Sequence, residues 1–260
     1  MLEAAHHTDN VFVTLTYDDD HLPEDGSLNP RDVQLFLKRL RVGIAPIKVR
    51  YFAVGEYGEQ TGRPHYHMAL FGYPGCLQGV SNWNKSGSCC DPCNRLRQHW
   101  ELGHTYSGVL TDDSAQYIAG YTVKKMTNPD DERLDGRHPE FARMSLKPAI
   151  GSDLLWDVAS SLMQYDLVQG DVPAGLREGA RIWPLGRTLR RKLRARVGMD
   201  ERAPDATLAQ MEAELLPMRA AAQEAAPGLR TLAFKAHIVQ AGEGRRRRLM
   251  VKQRAKKGVL

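Results

Sequence analysis

Arg63-Pro64-His65-Tyr66-His67-Met68-Ala69-Leu70-Phe71 decides how this chain is read. On a strand, residues i and i+2 share a face. His65 and His67 therefore present two imidazoles side by side, and Ala69 and Phe71 continue that face toward a core. Two histidines so spaced on a rigid element can grip a divalent ion through ring nitrogens. The preceding apolar run, Ile47 to Val54, reads as a partner strand, joined by the turn Gly55-Glu56-Tyr57-Gly58-Glu59-Gln60-Thr61-Gly62. Residues 47–71 are thus a β-hairpin with a long polar loop. Glu56, where the partner strand ends, can offer a carboxylate oxygen as third ligand, with Glu59 in the loop as second choice. Spacing alone fits a pair of surface or hydrogen-bonded core histidines equally well.

Outward from the hairpin the pattern stays regular. Val11-Phe12-Val13-Thr14-Leu15-Thr16-Tyr17 reads as a buried strand ended by Asp18-Asp19-Asp20. Asn29-Pro30 offers an N-cap with proline at N1, and Val33, Phe36, Leu37 and Leu40 follow at helical spacing up to Gly43. Residues 72–94 read as irregular, and Tyr106 to Leu110 as a fourth strand. Thr111-Asp112-Asp113-Ser114 caps a helix expected to run to about Met126. The order βαββ(β)α suits an antiparallel sheet with helices packed on it, an α+β fold. On the last helix Tyr117 and Tyr121 are four residues apart, so they share a face about 6 Å apart along the axis. Lys124 and Lys125 lie one turn further on. A phenol, with a free pKa of about 10, becomes a useful nucleophile when a metal polarises its electrophile and a cation offsets developing charge. Taken alone, both tyrosines would be ordinary helix residues; the histidine strand gives them a use.

Composition bounds the rest. Hydrophobic residues make up 42% and charged residues 26% of the 260, ordinary globular values. No run approaches the roughly 18 apolar residues of a membrane span, and Met1 to His7 lacks the pattern of a secretory signal, so neither is expected. Four cysteines fit a reducing compartment better than a disulfide scaffold. Cys90-x-x-Cys93, with Cys89 beside it and Cys76 upstream, could bind structural zinc, completed by His99 or His104. A clean site would show a second paired spacing, however, so free thiols in a variable loop are the expectation. Charge is uneven: residues 1–150 hold 16 Lys and Arg against 19 Asp and Glu, a net of −3, while the remainder holds 20 against 12, a net of +8. Two blocks carry much of it, Arg187 to Arg196 and Arg245 to Lys257. Such blocks suit a polyanion, or else are a solvated helix face and a disordered tail. Helical periodicity returns in residues 153–168 and 205–225.

Taken together, these residues resemble the replication initiation proteins of small single-stranded DNA phages, the gokushovirus branch of the Microviridae, within the rolling-circle (HUH) endonucleases named for a His-hydrophobic-His motif. Phe12-Val13-Thr14-Leu15-Thr16-Tyr17 matches the family's first motif. Gly55-Glu56-Tyr57-Gly58-Glu59, Arg63-Pro64-His65-Tyr66-His67 and Leu70-Phe71-Gly72 match the metal motif with its flanks, and Tyr117-x-x-x-Tyr121-x-x-Lys124-Lys125 the two-tyrosine motif. Gly136-Arg137, Pro139-Glu140-Phe141, Met144-Ser145 and Lys147-Pro148 resemble a segment downstream of the tyrosines, so the match covers roughly residues 2–152. Proteins of this family usually carry a further N-terminal stretch with paired cysteines, and this chain begins close to where that stretch would end.

The resemblance implies a five-stranded antiparallel, ferredoxin- or RRM-like sheet with flanking helices over residues 1–127, a connecting segment at 128–152, and a mainly helical basic region with a disordered tail at 153–260. It implies Mg²⁺ or Mn²⁺ held by His65, His67 and Glu56, and nicking of single-stranded or extruded origin DNA by Tyr121. Lys124 steadies the phosphate and Tyr117 takes the second transfer. The products are a 5′-phosphotyrosyl link and a free 3′-hydroxyl, and the displaced strand is later rejoined. Arg63, Lys125, Arg190, Arg191, Arg245, Arg246, Arg247 and Arg248 are the candidate phosphate contacts. Without a Walker motif, strand separation falls to a host helicase and extension to a host polymerase, in the cytoplasm of the bacterial host. The alternatives are a plasmid relaxase or transposase on the same fold, or a non-catalytic nucleic-acid-binding module. The last should show an aromatic Lys/Arg-Gly-Phe/Tyr strand, which the sequence lacks.

Overall fold

The computed structural model describes residues 1–58, 61–79, 82–84, 89–121, 129–179 and 181–225. The chain divides into two units, Met1–Ser160 and Ser161–Leu260. In the first, the order is α1 (Leu2–Ala5), β1 (Asn10–Tyr17), α2 (Pro30–Gly43), β2 (Arg50–Tyr57), β3 (Pro64–Phe71), β4 (Asn82–Asn84), α3 (Asp91–Trp100), β5 (Gly103–Val109), α4 (Asp112–Tyr121), a 3₁₀ turn at Glu132–Leu134, and β6 (Phe141–Met144). A further helix, α5 (Leu155–Gln164), begins at its end. The strands form one antiparallel sheet in the order β4-β5-β1-β3-β2-β6. The expected five strands are β1, β2, β3, β5 and β6; the three-residue β4 adds a short edge beside β5.

Strand alternation sorts the side chains onto two faces. Val11, Val13, Leu15 and Tyr17 of β1 join Tyr66, Met68 and Leu70 of β3 in the main core, against Phe36, Leu37 and Leu40 of α2 and Leu96 and Trp100 of α3. Each such buried side chain contributes about 1.5–3 kcal/mol relative to exposure. The opposite face carries Phe12, Val54, Ala69 and Phe71, packed with Ala4 of α1 and Ile118 of α4. His65 and His67 share the parity of Ala69 and Phe71, so they lie on this second face, the one α4 covers.

Tyr66, between the histidines, points the other way and anchors α2. Its hydroxyl accepts the Asn29 N–H at 2.8 Å and lies 2.7 Å from the Tyr17 hydroxyl, which donates to Asp32 at 2.7 Å. Burial pushes the Tyr66 phenol up to about 12. Asn29 in turn caps α2 by accepting the Arg31 N–H, with Pro30 at the first helical position. At the start of α4, Thr111 and Ser114 cap one another reciprocally: Ser114 N–H donates to the Thr111 hydroxyl at 3.2 Å, and Thr111 N–H to the Ser114 hydroxyl at 2.7 Å.

Three expectations are corrected. The partner strand runs Arg50–Tyr57 rather than Ile47 to Val54, because pairing with β3 draws Gly55, Glu56 and Tyr57 into the ladder. Gly55 makes this tolerable: a Cβ there would come within 2.6 Å of the Phe141 ring on β6. The segment 72–94, read as irregular, contains the start of α3, whose Cys93, Leu96 and Trp100 are buried at helical spacing. Phe141–Met144, read as connecting loop, is an edge strand.

In the second unit, β7 (Gly175–Glu178) and β8 (Arg181–Pro184) form a hairpin within a region expected to be mainly helical. They precede α6 (Arg187–Arg196) and α7 (Asp205–Ala225). Asp171 gathers this unit's charge: it accepts from Arg194 Nε at 2.6 Å, from a terminal nitrogen of Arg190 at 2.8 Å and from the Thr207 hydroxyl at 3.0 Å. The expected disordered tail falls outside the described residues. Among those described, no helix is long and apolar enough to cross a membrane.

Candidate metal and tyrosine site

Glu56 stands directly opposite His65 in the β2–β3 register, and His67 stands opposite Thr14 of β1. One carboxylate oxygen, Glu56 Oε1, lies 3.0 Å from Nε2 of His65 and 3.0 Å from Nε2 of His67. Glu56 and His67 are buried, and His65 is half-buried.

The far side of each ring is also held. His65 Nδ1 lies 3.0 Å from the Arg63 carbonyl oxygen, which can only accept, so Nδ1 carries the proton. In the neutral ring, Nε2 is then a lone pair aimed at a carboxylate oxygen. His67 Nδ1 lies 2.9 Å from the Thr14 hydroxyl, which can accept a proton in the same sense. Two imidazole lone pairs and a carboxylate oxygen converging on one point repel unless a proton or a cation sits among them. This N, N, O donor set, with its outer hydrogen bonds, fits a divalent transition ion well. Burial works against ionising Glu56, yet the hydrogen bonds and charge of His65 and His67 outweigh it and hold its carboxyl below the usual range. Burial pushes the His67 pKa down, which keeps its ring neutral and available as a ligand.

Tyr117 of α4 stacks edge-on against His67, ring centroids 5.2 Å apart, and against Phe12 at 6.4 Å, while remaining 42% exposed. Ile118, next along, is buried and seats the helix on the sheet. Tyr121 is the last residue of α4; its side chain, like Glu59, Lys124, Lys125 and Arg245, Arg246, Arg247 and Arg248, lies outside the described residues. Arg63 donates to Asp19 at 2.8 Å and to the Tyr17 carbonyl at 2.9 Å. Arg190 is committed to Asp171, and Arg191 pairs with Glu201 at 2.7 Å on the surface.

Sequence reasoning missed Thr14 and the Arg63 carbonyl as the groups that orient the histidines. For Thr14 a signal existed: it is a polar residue within a buried strand, where a hydroxyl needs a partner. The cysteines also depart from expectation. Cys76, Cys89, Cys90 and Cys93 converge, one sulfur from each within 4.8 Å of the others, and His99 and His104 are not in that cluster.

Residues 10–126 match the model of a family of replication-associated proteins named for ORF2 and the gene II protein. The chain is 37% identical over 150 residues to the replication-associated protein VP4 of Bdellovibrio phage phiMH2K, covering 55% of this chain and 47% of that protein. Over 185 residues it is 29% identical to the replication-associated protein ORF4 of Chlamydia phage 1, covering 68% and 45%. Over 151 residues it is 34% identical to the replication-associated protein ORF2 of Spiroplasma virus 4, covering 52% and 44%. The chain therefore spans somewhat under half the length of these relatives. No solved structure matches it.

Proposed function

Taking residues 10–126 as a member of that replication-associated protein family, we propose that this chain is a phage replication initiator that nicks one strand of origin DNA through tyrosine. The observation that carries the reading is Glu56 Oε1 set 3.0 Å from two histidine nitrogens, with the Tyr117 ring against one of those histidines. His65, His67 and Glu56 would hold Mn²⁺ or Mg²⁺; the imidazoles favour Mn²⁺. A bound ion there supplies Lewis-acid polarisation of the scissile phosphate.

The rest of the chemistry belongs to the chain. Thr14 and the Arg63 carbonyl keep the ring nitrogens turned inward. The Tyr121 hydroxyl gives up its proton and bonds to phosphorus. The P–O3′ bond breaks, and the 3′-oxygen leaves as a hydroxyl that a host polymerase can extend. Lys124 offsets charge on the phosphate. Tyr117 is the second nucleophile, used when the regenerated junction is cut and the displaced strand rejoined. Tyr121 is assigned the first step because the lysine three residues on partners the tyrosine in one-tyrosine relatives. Origin recognition draws on the basic residues Arg63, Lys125, Arg191 and Arg245, Arg246, Arg247 and Arg248, with a host helicase opening the duplex.

The test is incubation with 5′-labelled and 3′-labelled single-stranded oligonucleotides and Mn²⁺, followed by denaturation and mass spectrometry of the DNA-linked peptide. The reading expects a covalent adduct on Tyr121, carrying the 3′ label. Binding without an adduct would reduce the protein to a nucleic-acid-binding module, and full cleavage in EDTA would remove the metal from the mechanism.

A further inference from the structure

The mechanism uses none of the four cysteines, yet the fold brings them together. Cys76 lies in the segment after β3, Cys89 and Cys90 immediately precede α3, and Cys93 is in its first turn. Cys76 Sγ lies 3.6 Å from Cys89 Sγ and 3.8 Å from Cys90 Sγ, and all four sulfurs fall within 4.8 Å of one another. A disulfide needs about 2.05 Å, so these are separate thiols. Four sulfurs bound tetrahedrally to zinc at about 2.3 Å are about 3.8 Å apart, the spacing seen here.

We propose that Cys76, Cys89, Cys90 and Cys93 form a tetrathiolate site for a structural zinc ion that fastens the segment after β3 to the start of α3. Two further observations point the same way. The Leu77 N–H donates to Cys90 Sγ at 3.3 Å, a bond that favours a thiolate. Cys90 is the N-cap residue of α3, whose side chain makes no capping bond, so it and Cys93 sit where the helix dipole stabilises negative charge. Cys90 is correspondingly lowered to about 7: burial opposes the shift, and hydrogen bonds from the Cys93 and Leu77 backbone prevail. Zinc binding displaces the remaining thiol protons. The closed S₄ donor set leaves no position for substrate, so the ion is structural. Its mechanical role follows from α3: the Tyr73 hydroxyl donates to the Pro92 carbonyl at 2.8 Å, and Trp100 at the far end fills the main core.

Because the histidine site could also take up zinc, the test uses full-length protein carrying both His65→Ala and His67→Ala, purified without chelator. Elemental analysis is expected to find one zinc per chain. Exchange into Co²⁺ should give thiolate-to-cobalt charge-transfer absorption, and adding Cys93→Ser should abolish both signals. Stripping the metal should lower hydrogen-exchange protection across Asp91–Trp100. If Cys93→Ser fails to fold, the zinc count and cobalt spectrum of the His65→Ala/His67→Ala protein decide alone. Zinc-free folded protein whose four thiols all react freely with a thiol reagent overturns the proposal, as does iron in place of zinc.

Discussion

Glu56 and Asp171 are two carboxylates with opposite surroundings. Asp171 faces donors: two guanidinium groups, a hydroxyl and the Val172 N–H, which donates at 2.7 Å. Hydrogen bonding from Arg194 above all holds its pKa down to about 2. Glu56 faces the Nε2 atoms of two histidines, whose other ring nitrogens are already engaged with Arg63 and Thr14. A carboxylate among permanent cations is complete without a ligand. One among imidazole lone pairs is complete only with a proton or a metal ion. The first arrangement builds a fold and the second a site, although both place acid beside base.

The comparison breaks most visibly at the site. His67→Ala or Glu56→Gln should reduce adduct formation by on the order of 10²–10³-fold, the several kcal/mol a bound cation supplies. Circular dichroism should stay unchanged and Mn²⁺ binding by calorimetry should vanish. Wild-type adduct yield from either variant would mean that the triad is only a hydrogen-bonded cluster. The converse holds at Asp171. Asp171→Ala leaves Arg194 buried without its partner and should cost about 3 kcal/mol in chemical denaturation, with Mn²⁺ affinity unchanged. Loss of Mn²⁺ binding in that variant would erase the distinction between the two carboxylates.

Smaller effects sharpen the contrast. Thr14→Val keeps the shape of β1 but removes the group beside His67 Nδ1, and should weaken Mn²⁺ binding about 10-fold while leaving the adduct site on the same tyrosine. The smallest is a pH effect on the metal-free protein. His67 titrates below its ordinary 6.5, so the folded state takes up this proton less readily than the unfolded chain. Its contribution is full above pH 6.5 and is lost as pH falls toward the lower folded value. Glu56 adds a second loss beginning below its ordinary 4.5. Asp171, ordinarily 3.8 and here about 2, holds until pH falls below 3.8. The stability of the first unit should therefore fall as pH drops from 6.5 to 4.5, and His67→Ala should flatten that slope. An unchanged slope in that variant would place the titrating group elsewhere.

Much of the architecture was legible in the chain itself. Alternation in Val11–Tyr17 and His65–Phe71 marked two central strands, and Asn29-Pro30 with Val33, Phe36, Leu37 and Leu40 marked α2 to its last residue. The short elements were not legible. β6 has four residues on an edge, too few for a period to stand out, and the apolar residues of α3 were masked by a proline and cysteines that read as loop. The end of β2 was hidden because Gly55-Glu56-Tyr57-Gly58 has turn composition, and only hydrogen bonding to β3 makes it strand.

Sequence alone determined that His65 and His67 share a face and that Tyr117 and Tyr121 share another, because the periods of strand and helix are local properties of the backbone. It could not determine what those faces meet. The register between β2 and β3 put Glu56 opposite His65, the β1–β3 pairing put Thr14 beside His67, and the seating of α4 put Tyr117 against the same ring. The cysteines follow the same rule. Thirteen residues separate Cys76 from Cys89 in the chain, and only the return of the segment before α3 brings their sulfurs to 3.6 Å. Spacing along a chain fixes direction within one element; distances between elements are set by the packing that buries their apolar faces together.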